Sequence, residues 1–176
     1  ELKEEHVIIR PTYLSICAAD QRYYQGKRKK EILDKKLPLT LIHEGVGIVH
    51  YDKTGEFQVG EKVVMIPNLP FEEDEVIKEN YLRSSKFRSS SYDGYMQNVV
   101  SMRRDRIIPL KNIDEAIASQ LELTSVAVNA VENFIKKSHQ KIDKIGVWGC
   151  GSVGYILALV LKRCFPQSKI IVIGTR

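Results

Sequence analysis

The fold of this chain is decided by the stretch Lys144-Ile145-Gly146-Val147-Trp148-Gly149-Cys150-Gly151-Ser152-Val153-Gly154. The apolar run at its start predicts a strand, and the apolar pattern after the glycines, over residues 155–161, predicts a helix. The glycine spacing is G-x-G-x-x-G, in which the first glycine allows a tight turn, the second lets the backbone approach a pyrophosphate, and the third lets helix and strand pack closely. We therefore expect a phosphate-binding loop, with dinucleotide contacts from Gly149, Gly151, Ser152, Val153 and Gly154.

A second strand is predicted at residues 169–173, and Gly174, Thr175 and Arg176 follow it. A site specific for NAD usually places an acidic residue at this point, where it binds the ribose 2′-hydroxyl. An arginine can instead pair with a 2′-phosphate. The sequence therefore favours NADP(H), with contacts from Thr175 and Arg176; the alternative is that Arg176 is an ordinary solvated arginine.

The amino-acid composition limits the classes of protein to which the chain can belong. The chain has 176 residues and is 43% apolar, which suffices for one good core or two small ones. It contains no apolar run long enough to cross a bilayer and no signal-peptide core, so no membrane partner is expected. Three cysteines without framework spacing favour a reducing compartment. We expect a cytoplasmic protein.

The positive charge is concentrated in one segment. The net charge is +5, and residues 27–36 carry six basic side chains against two acidic ones. This segment has no interleaved aromatic residues, so nucleic acid is not the expected partner, although a basic nucleic-acid-binding module is the main alternative outside the enzymes. A solvated helix face, or steering of a small anionic substrate, explains the charge better.

The order of the patterns predicts an α/β protein. Residues 1–113 show short alternating strands and form a β-rich domain, with a long polar lobe at residues 68–92 and a strand at residues 93–100. Residues 114–142 are expected to form connecting helices, and residues 143–176 the first β-α-β unit of a nucleotide-binding domain. A doubly wound sheet needs further strands, so the chain is expected to be a truncated segment of a longer enzyme.

Four side chains could bind a metal ion. Cys17, His43 and Glu44 adjoin predicted strands, and Glu122 precedes the main connecting helix. Thiolate, imidazole and carboxylate are zinc ligands, and three protein ligands with an open position are typical of catalytic zinc. Taken singly, a buried cysteine is usually a small apolar residue, and a scattered histidine or glutamate needs no metal. The residue types alone leave both interpretations open.

The chain resembles the medium-chain alcohol dehydrogenases, in which a GroES-like β domain is followed by a Rossmann domain. The resemblance is carried, in the family's order, by Cys17-Ala18-Ala19-Asp20, His43-Glu44-Gly45-Val46-Gly47, Val59-Gly60-Glu61-Lys62-Val63, Asp93-Gly94-Tyr95-Met96 and the glycine loop.

The resemblance implies roles for individual residues. Glu122 opens the run Glu122-Leu123-Thr124-Ser125-Val126, which is similar to the Glu-Pro-Leu-Ser-Val element of polyol dehydrogenases, where glutamate replaces a cysteine ligand. Cys17, His43 and Glu122 would then bind Zn²⁺, with Glu44 as an adjacent or exchangeable ligand. Asp20 would orient the site. The implied catalytic set is Cys17, His43, Glu44 and Asp20.

Two departures from the family pattern matter. Ala19 stands where the family usually has a proton-relay serine or threonine, so another group or water must deliver the proton. The lobe at residues 68–92 contains no cysteine. A single metal site per chain is therefore expected.

Within this family, the chain is most similar to the ribulose-5-phosphate reductases that supply ribitol phosphate for bacterial wall teichoic acid or capsule. Residues 15–24, 41–47 and 87–90 carry this likeness. It implies reduction of D-ribulose 5-phosphate to D-ribitol 5-phosphate by NADPH, a homodimer, and a cytidylyltransferase as pathway partner. The alternatives are another polyol or alcohol dehydrogenase, and a zinc-free quinone reductase of the same superfamily.

The substrate would be a phosphorylated ketose. Arginine and lysine are suited to holding its phosphate, and Tyr23 matches a tyrosine near the polyol site. The candidates are Arg22, Tyr23, Lys27, Arg28 and Arg88; ordinary surface charge is the alternative explanation for the basic ones.

Overall fold

The computed structural model describes residues 5–139 and 141–174. They belong to two compact units, Glu1–Gln120 and Leu121–Arg176. The division falls between the two helices that the sequence analysis grouped as a connection. The short helix therefore belongs to the first unit and the long helix to the second, and the domain limits at 113 and 142 stay predictions.

The first unit is built on a five-stranded sheet, whose strands lie in the order 100–103, 6–15, 44–52, 62–65 and 107–109. Its strands are β1 (His6–Ser15), β2 (Glu44–Asp52), β3 (Lys62–Met65), β6 (Val100–Arg103) and β7 (Ile107–Pro109). A separate two-stranded ribbon joins β4 (Asn68–Leu69) to β5 (Lys86–Phe87). The helices are α1 (Ala18–Tyr24), α2 (Lys30–Lys36) and α3 (Glu115–Ala118).

One face of this sheet covers the core of the first unit. The buried cluster contains β-branched and sulfur-bearing side chains at alternate strand positions, as expected for a sheet with one solvated face. Its members include Val7, Ile9, Val49, Val63, Met65, Tyr95, Val100 and Met102. The antiparallel register of β1 and β2 pairs Ser15 with Glu44. This register brings the residues just after β1 and just before β2 to the same edge of the sheet.

The predicted strand at residues 93–100 is wrong except at its last residue. Strand β6 begins at Val100, and residues 93–99 form a loop. Tyr95 is fully buried in the core of the first unit. The residues whose apolar alternation predicted a strand thus lie in a loop, and its amides form hydrogen bonds outside the five-stranded sheet.

The second unit contains the predicted β-α-β arrangement. Strands β8 (Lys144–Trp148) and β9 (Lys169–Ile173) are parallel neighbours, and α5 (Ser152–Cys164) connects them. Helix α4 (Leu121–Lys137) precedes this arrangement and supplies Val131 to the small core of the unit. Among the helices of the described residues, none is both long and apolar enough to cross a bilayer.

A buried ion pair holds the end of β2. The Asp52 side chain is 0% exposed and accepts hydrogen bonds from both terminal nitrogens of Arg104, at 2.8 and 3.0 Å. The Phe57 amide donates to the same carboxylate at 3.0 Å. These contacts, chiefly the hydrogen bonds from Arg104, hold the pKa of Asp52 well below its ordinary value. The pair joins the turn after β2 to the segment after β6.

We predict that Asp52→Asn lowers the free energy of unfolding by about 3 kcal/mol at neutral pH, since it leaves a mostly buried guanidinium without its main partner. Because the folded-state pKa is depressed, this stabilisation is present above the unfolded pKa of about 3.9 and is lost as the pH falls towards the folded value. Urea denaturation of both proteins at several pH values measures the difference.

Glu56→Gln is the matched control. Glu56 also contacts Arg104, at 3.1 Å, but its side chain is 59% exposed. Its loss should cost about 1 kcal/mol or less. Equal effects of the two substitutions, or a difference that does not shrink in acid, would contradict the assignment.

Candidate metal centre and nucleotide loop

Cys17 lies at the N-terminus of α1, in the turn that follows β1. Its backbone amide and its thiol both donate to Oδ2 of Asp20, at 3.1 and 3.0 Å. These two hydrogen bonds close the first turn of the helix on itself. The orientation of the thiol is thereby tied to the position of Asp20.

His43 is presented by a strained backbone. The preceding residue, Ile42, has a φ of +73°, which is rare for a β-branched residue and costs about 1–3 kcal/mol. Its amide donates to Oδ1 of Asp20 at 2.9 Å, and its carbonyl accepts from the Tyr95 amide at 2.7 Å. This conformation persists because both backbone groups are held.

Gly94 is pressed against the loop that carries His43. Its amide donates to the Thr40 carbonyl at 2.8 Å. An added Cβ at this position would overlap the carbonyl oxygens of Leu41 and Ile42. A glycine is therefore needed for the close approach of the two backbones.

Asp20 joins the two segments. It is 2% exposed, and besides Cys17 and Ile42 it accepts a hydrogen bond from the Ser89 hydroxyl at 2.9 Å. Burial works to raise the pKa of Asp20, but the hydrogen bonds from Cys17, Ile42 and Ser89 outweigh it and the pKa lies below its ordinary value. Asp20 is thus a carboxylate that holds both segments at once.

Three of the four predicted ligands come together. One ligand atom from each of Cys17, His43 and Glu44 lies within 4.8 Å of the others, and Cys17 Sγ is 3.8 Å from His43 Nε2. The fourth predicted ligand, Glu122, lies in the first turn of α4 and so in the second unit. Its ligation of the same metal stays a prediction.

The electrostatics of this cluster suit a cation. Burial, followed by the contact with Asp20, raises the pKa of Cys17 to about 11. Burial also raises the pKa of Glu44, which is 1% exposed, and the nearby Ser15 opposes only part of this rise. Neither Glu44 oxygen, nor Nδ1 of His43, has a well-formed hydrogen bond within the described residues.

Burying a carboxylate without a partner is costly unless a positive charge is supplied. The sulfur, nitrogen and oxygen donors present are those that zinc binds, and a bound dication favours the deprotonated forms of all three. The residues therefore fit Zn²⁺.

The predicted substrate residues differ in their surroundings. Arg22 and Lys27 are exposed, whereas Tyr23 is buried beneath the guanidinium of Arg28, 4.9 Å from the ring centre. Arg22 and Lys27 are therefore accessible to an anion, and the predicted contact of Tyr23 with the substrate stays a prediction.

Arg88 is 8% exposed and is used inside the unit. Its terminal nitrogens donate to the carbonyls of Asp93 and Ser101, at 3.0 and 2.5 Å. Its guanidinium also lies over the rings of Tyr92 and Tyr95, 4.9 and 5.4 Å from their centres. These contacts stabilise the first unit, and a phosphate contact by Arg88 stays a prediction.

The glycine loop has the strand, turn and helix that the sequence predicts. Gly149 has a φ of +115° and its amide donates to the Ile173 carbonyl at 2.7 Å. Gly151 caps α5, and an added Cβ at Gly154 would overlap the Gly149 carbonyl. Ser152 and Val153, in the first turn of α5, are exposed. The predicted cofactor contacts at Thr175 and Arg176 lie outside the described residues.

Sequence reasoning missed the contacts of Phe87 and Ser89. The rings of Phe87 and His43 meet edge to face with centroids 5.1 Å apart, and Ser89 reaches Asp20 across 69 positions of sequence. No spacing rule connects positions so far apart. Residues 87–90 contributed to the family resemblance, but among them only Arg88 was given a predicted role, as a phosphate contact.

Comparison with known proteins gives consistent matches. The family model described as the alcohol dehydrogenase GroES-like domain matches residues 3–112. The ribulose-5-phosphate reductase of Bacillus spizizenii is 54% identical over 171 residues, covering 97% of this chain and 50% of that protein. Ribulose-5-phosphate reductase 1 of Staphylococcus aureus is 51% identical, covering 99% of this chain and 51% of that protein.

A solved structure extends the comparison to three dimensions. The crystal structure of Staphylococcus aureus TarJ in complex with NADPH superposes with a TM-score of 0.78 at 42% identity, covering 100% of this chain and 49% of that one. The chain therefore spans about half the length of the relatives it matches.

We predict that Gly94→Ala displaces the loop carrying His43. The substitution should lower the free energy of unfolding by about 1–3 kcal/mol, as overpacking does. It should also weaken zinc binding by about tenfold or more, since displaced supporting groups commonly have that effect. Competition with a chromophoric chelator measures the zinc affinity.

Gly146→Ala is the control, because an added Cβ there meets nothing within 4 Å. It should leave zinc affinity unchanged. Wild-type zinc affinity in Gly94→Ala would show that the loop does not position the site.

Proposed function

Because the chain belongs to the alcohol dehydrogenase family with a GroES-like domain, we propose that it carries the metal site and the start of the cofactor site of a zinc-dependent, NADPH-linked ribulose-5-phosphate reductase. The reaction is reduction of the C2 ketone of D-ribulose 5-phosphate to D-ribitol 5-phosphate. The observation that carries the proposal is the cluster of Cys17, His43 and Glu44, in which the buried Glu44 carboxylate has no well-formed hydrogen bond to any described residue.

The named relatives support the choice of substrate. Two reductases of this name share 54% and 51% identity with almost the whole chain. The chain covers about half of each relative. The proposal is therefore limited to the roles that residues of this chain have in the reaction. A zinc-free quinone reductase needs no metal ligands, so the cluster of Cys17, His43 and Glu44 favours the proposed zinc enzyme over it.

The chain's own residues position the reactants. Cys17, His43 and Glu44 would hold the metal, with Glu122 as the further predicted ligand. Asp20 holds the two segments that present Cys17 and His43 by accepting from the Cys17 and Ile42 amides. When bound, zinc supplies polarisation of the ketone oxygen and NADPH supplies the hydride. Ala19 has no hydroxyl, so the proton reaches the alkoxide from another group or from water.

The glycine loop is proposed to bind the pyrophosphate of NADPH. The left-handed Gly149 turns the chain, and α5 presents its first amides and the positive end of its dipole to the anion. TarJ, at 42% identity, holds NADPH in its crystal structure. The preference for the 2′-phosphate depends on Thr175 and Arg176 and stays a prediction.

The phosphate of the substrate is assigned to the exposed basic residues near α1. Arg22 and Lys27 are exposed there, and Cys17 lies at the N-terminus of the same helix. Arginine binds phosphate in a bidentate manner and lysine acts as a point charge. A phosphorylated ketose would then bind with its phosphate held and its carbonyl directed at the metal.

Only the family resemblance supports a wider biological role for the protein. It comprises supply of ribitol 5-phosphate for teichoic acid or capsule precursors, a cytoplasmic homodimer, and a cytidylyltransferase that consumes the product. These are proposals for the whole protein.

We predict that the whole enzyme oxidises NADPH with D-ribulose 5-phosphate, and that unphosphorylated D-ribulose is a poor substrate because it lacks the anion. Removal of zinc with a chelator should abolish turnover, and added Zn²⁺ should restore it. The loss of NADPH absorbance measures each rate.

Cys17→Ala is the matched variant, and it should lose zinc and activity together. Equal rates with both ketoses would contradict the substrate assignment. Full activity of the metal-free enzyme or of Cys17→Ala would contradict the zinc assignment.

A further inference from the structure

A short segment, residues 87–90, reaches the candidate site from the lobe between β3 and β6. We call this segment the strap. The Phe87 ring meets the His43 ring edge to face at 5.1 Å. The Ser89 hydroxyl donates to Asp20 Oδ1 at 2.9 Å, and the Ser90 hydroxyl accepts from Lys36 Nζ at 3.1 Å. Three residues of one short segment thus contact a metal ligand, the carboxylate that positions the ligands, and the basic helix α2.

The strap has a conformation that its surroundings must maintain. Ser89 is 3% exposed and has a φ of +58°, a left-handed conformation that is uncommon for serine. Its amide donates to the Tyr92 carbonyl at 2.8 Å, and the Arg88 amide donates to the Pro67 carbonyl at 3.1 Å. The internal hydrogen bonds of the Arg88 guanidinium hold the segment further. The strain is therefore retained at a buried position that faces the site.

The Ser89 hydroxyl completes the hydrogen bonding of Asp20. Oδ2 of Asp20 accepts from the Cys17 amide, and also from the Cys17 thiol while that thiol is protonated. Oδ1 accepts from the Ile42 amide and from the Ser89 hydroxyl. Loss of the hydroxyl leaves Oδ1 with one donor among the described residues, the amide of Ile42. The carboxylate can then rotate, and its rotation moves the Cys17 turn and the His43 loop relative to each other.

We propose that Ser89 is a positioning residue for the metal site, whose hydroxyl fixes the Asp20 carboxylate and thereby the spacing of Cys17 and His43. The inference rests on the proposed metal site and extends it to a residue with no role in the sequence analysis. Groups that orient ligands in this way typically change metal affinity by about 10–100-fold when they are removed.

The test compares three variants of the protein. Ser89→Ala removes the hydroxyl and keeps the strained backbone. Ser89→Gly removes the hydroxyl and relieves the strain, because glycine adopts positive φ readily. Ser84→Ala is the control from the same lobe, since the Ser84 hydroxyl donates to Glu72 at 3.1 Å and not to the site.

Zinc affinity is measured by chelator competition, coordination by the absorption spectrum of the Co²⁺-substituted protein, and folding by thermal denaturation of the metal-free protein. We expect both Ser89 variants to bind zinc about 10–100-fold more weakly and to show altered Co²⁺ bands, with Ser84→Ala unchanged. A purely structural role would shift the melting temperature and leave the Co²⁺ spectrum as it is.

Wild-type zinc affinity and spectrum in Ser89→Gly would overturn the inference and leave the metal site in place. A loss in Ser89→Ala without a loss in Ser89→Gly would likewise overturn it, because strain and not the hydroxyl would then be responsible. Failure of the wild-type protein itself to bind zinc would overturn the proposed function, and this inference with it.

Discussion

The carboxylate of Asp20 is the contact on which the candidate site depends. The antiparallel pairing of Ser15 with Glu44 brings Cys17 and His43 to one edge of the sheet, but it does not by itself tie together the two segments that carry them. Asp20 does so by accepting hydrogen bonds from the Cys17 turn and from the amide before His43. Its several hydrogen-bond donors hold the pKa of Asp20 below its ordinary value despite its burial, so it joins the two segments as a carboxylate.

Two carboxylates of the first unit, those of Asp52 and Glu44, are both buried but differ in whether hydrogen bonds compensate for the burial. Asp52 is surrounded by the Arg104 guanidinium and by backbone amides, and its pKa is depressed. Glu44 is as deeply buried but lacks a well-formed hydrogen bond within the described ranges, and its pKa is raised. A carboxylate that only stabilises the fold has partners like those of Asp52. Glu44 instead lies beside a thiol and an imidazole, and these three donors together are a set that zinc binds.

Sequence reasoning predicted those parts of the structure that are encoded by local patterns. The glycine loop was predictable because Gly149 and Gly154 meet within a few residues, whereas the orienting role of Asp20 was implied only by the family resemblance. The loop at residues 93–99 was mistaken for a strand because a buried Tyr95 gives the same alternation in either conformation. The role of Ser89 could not be predicted, since it arises from tertiary contact between distant segments.

The most direct test of the metal site is an anomalous difference map, collected at the zinc absorption edge, from crystals of the zinc-loaded protein. The account predicts a single strong peak bonded to Cys17 Sγ at about 2.3 Å and to a His43 ring nitrogen at about 2.0–2.1 Å, with a carboxylate oxygen completing the protein ligands. That oxygen would come from Glu44 or Glu122. A peak elsewhere, with the cluster of Cys17, His43 and Glu44 free of metal, would contradict it.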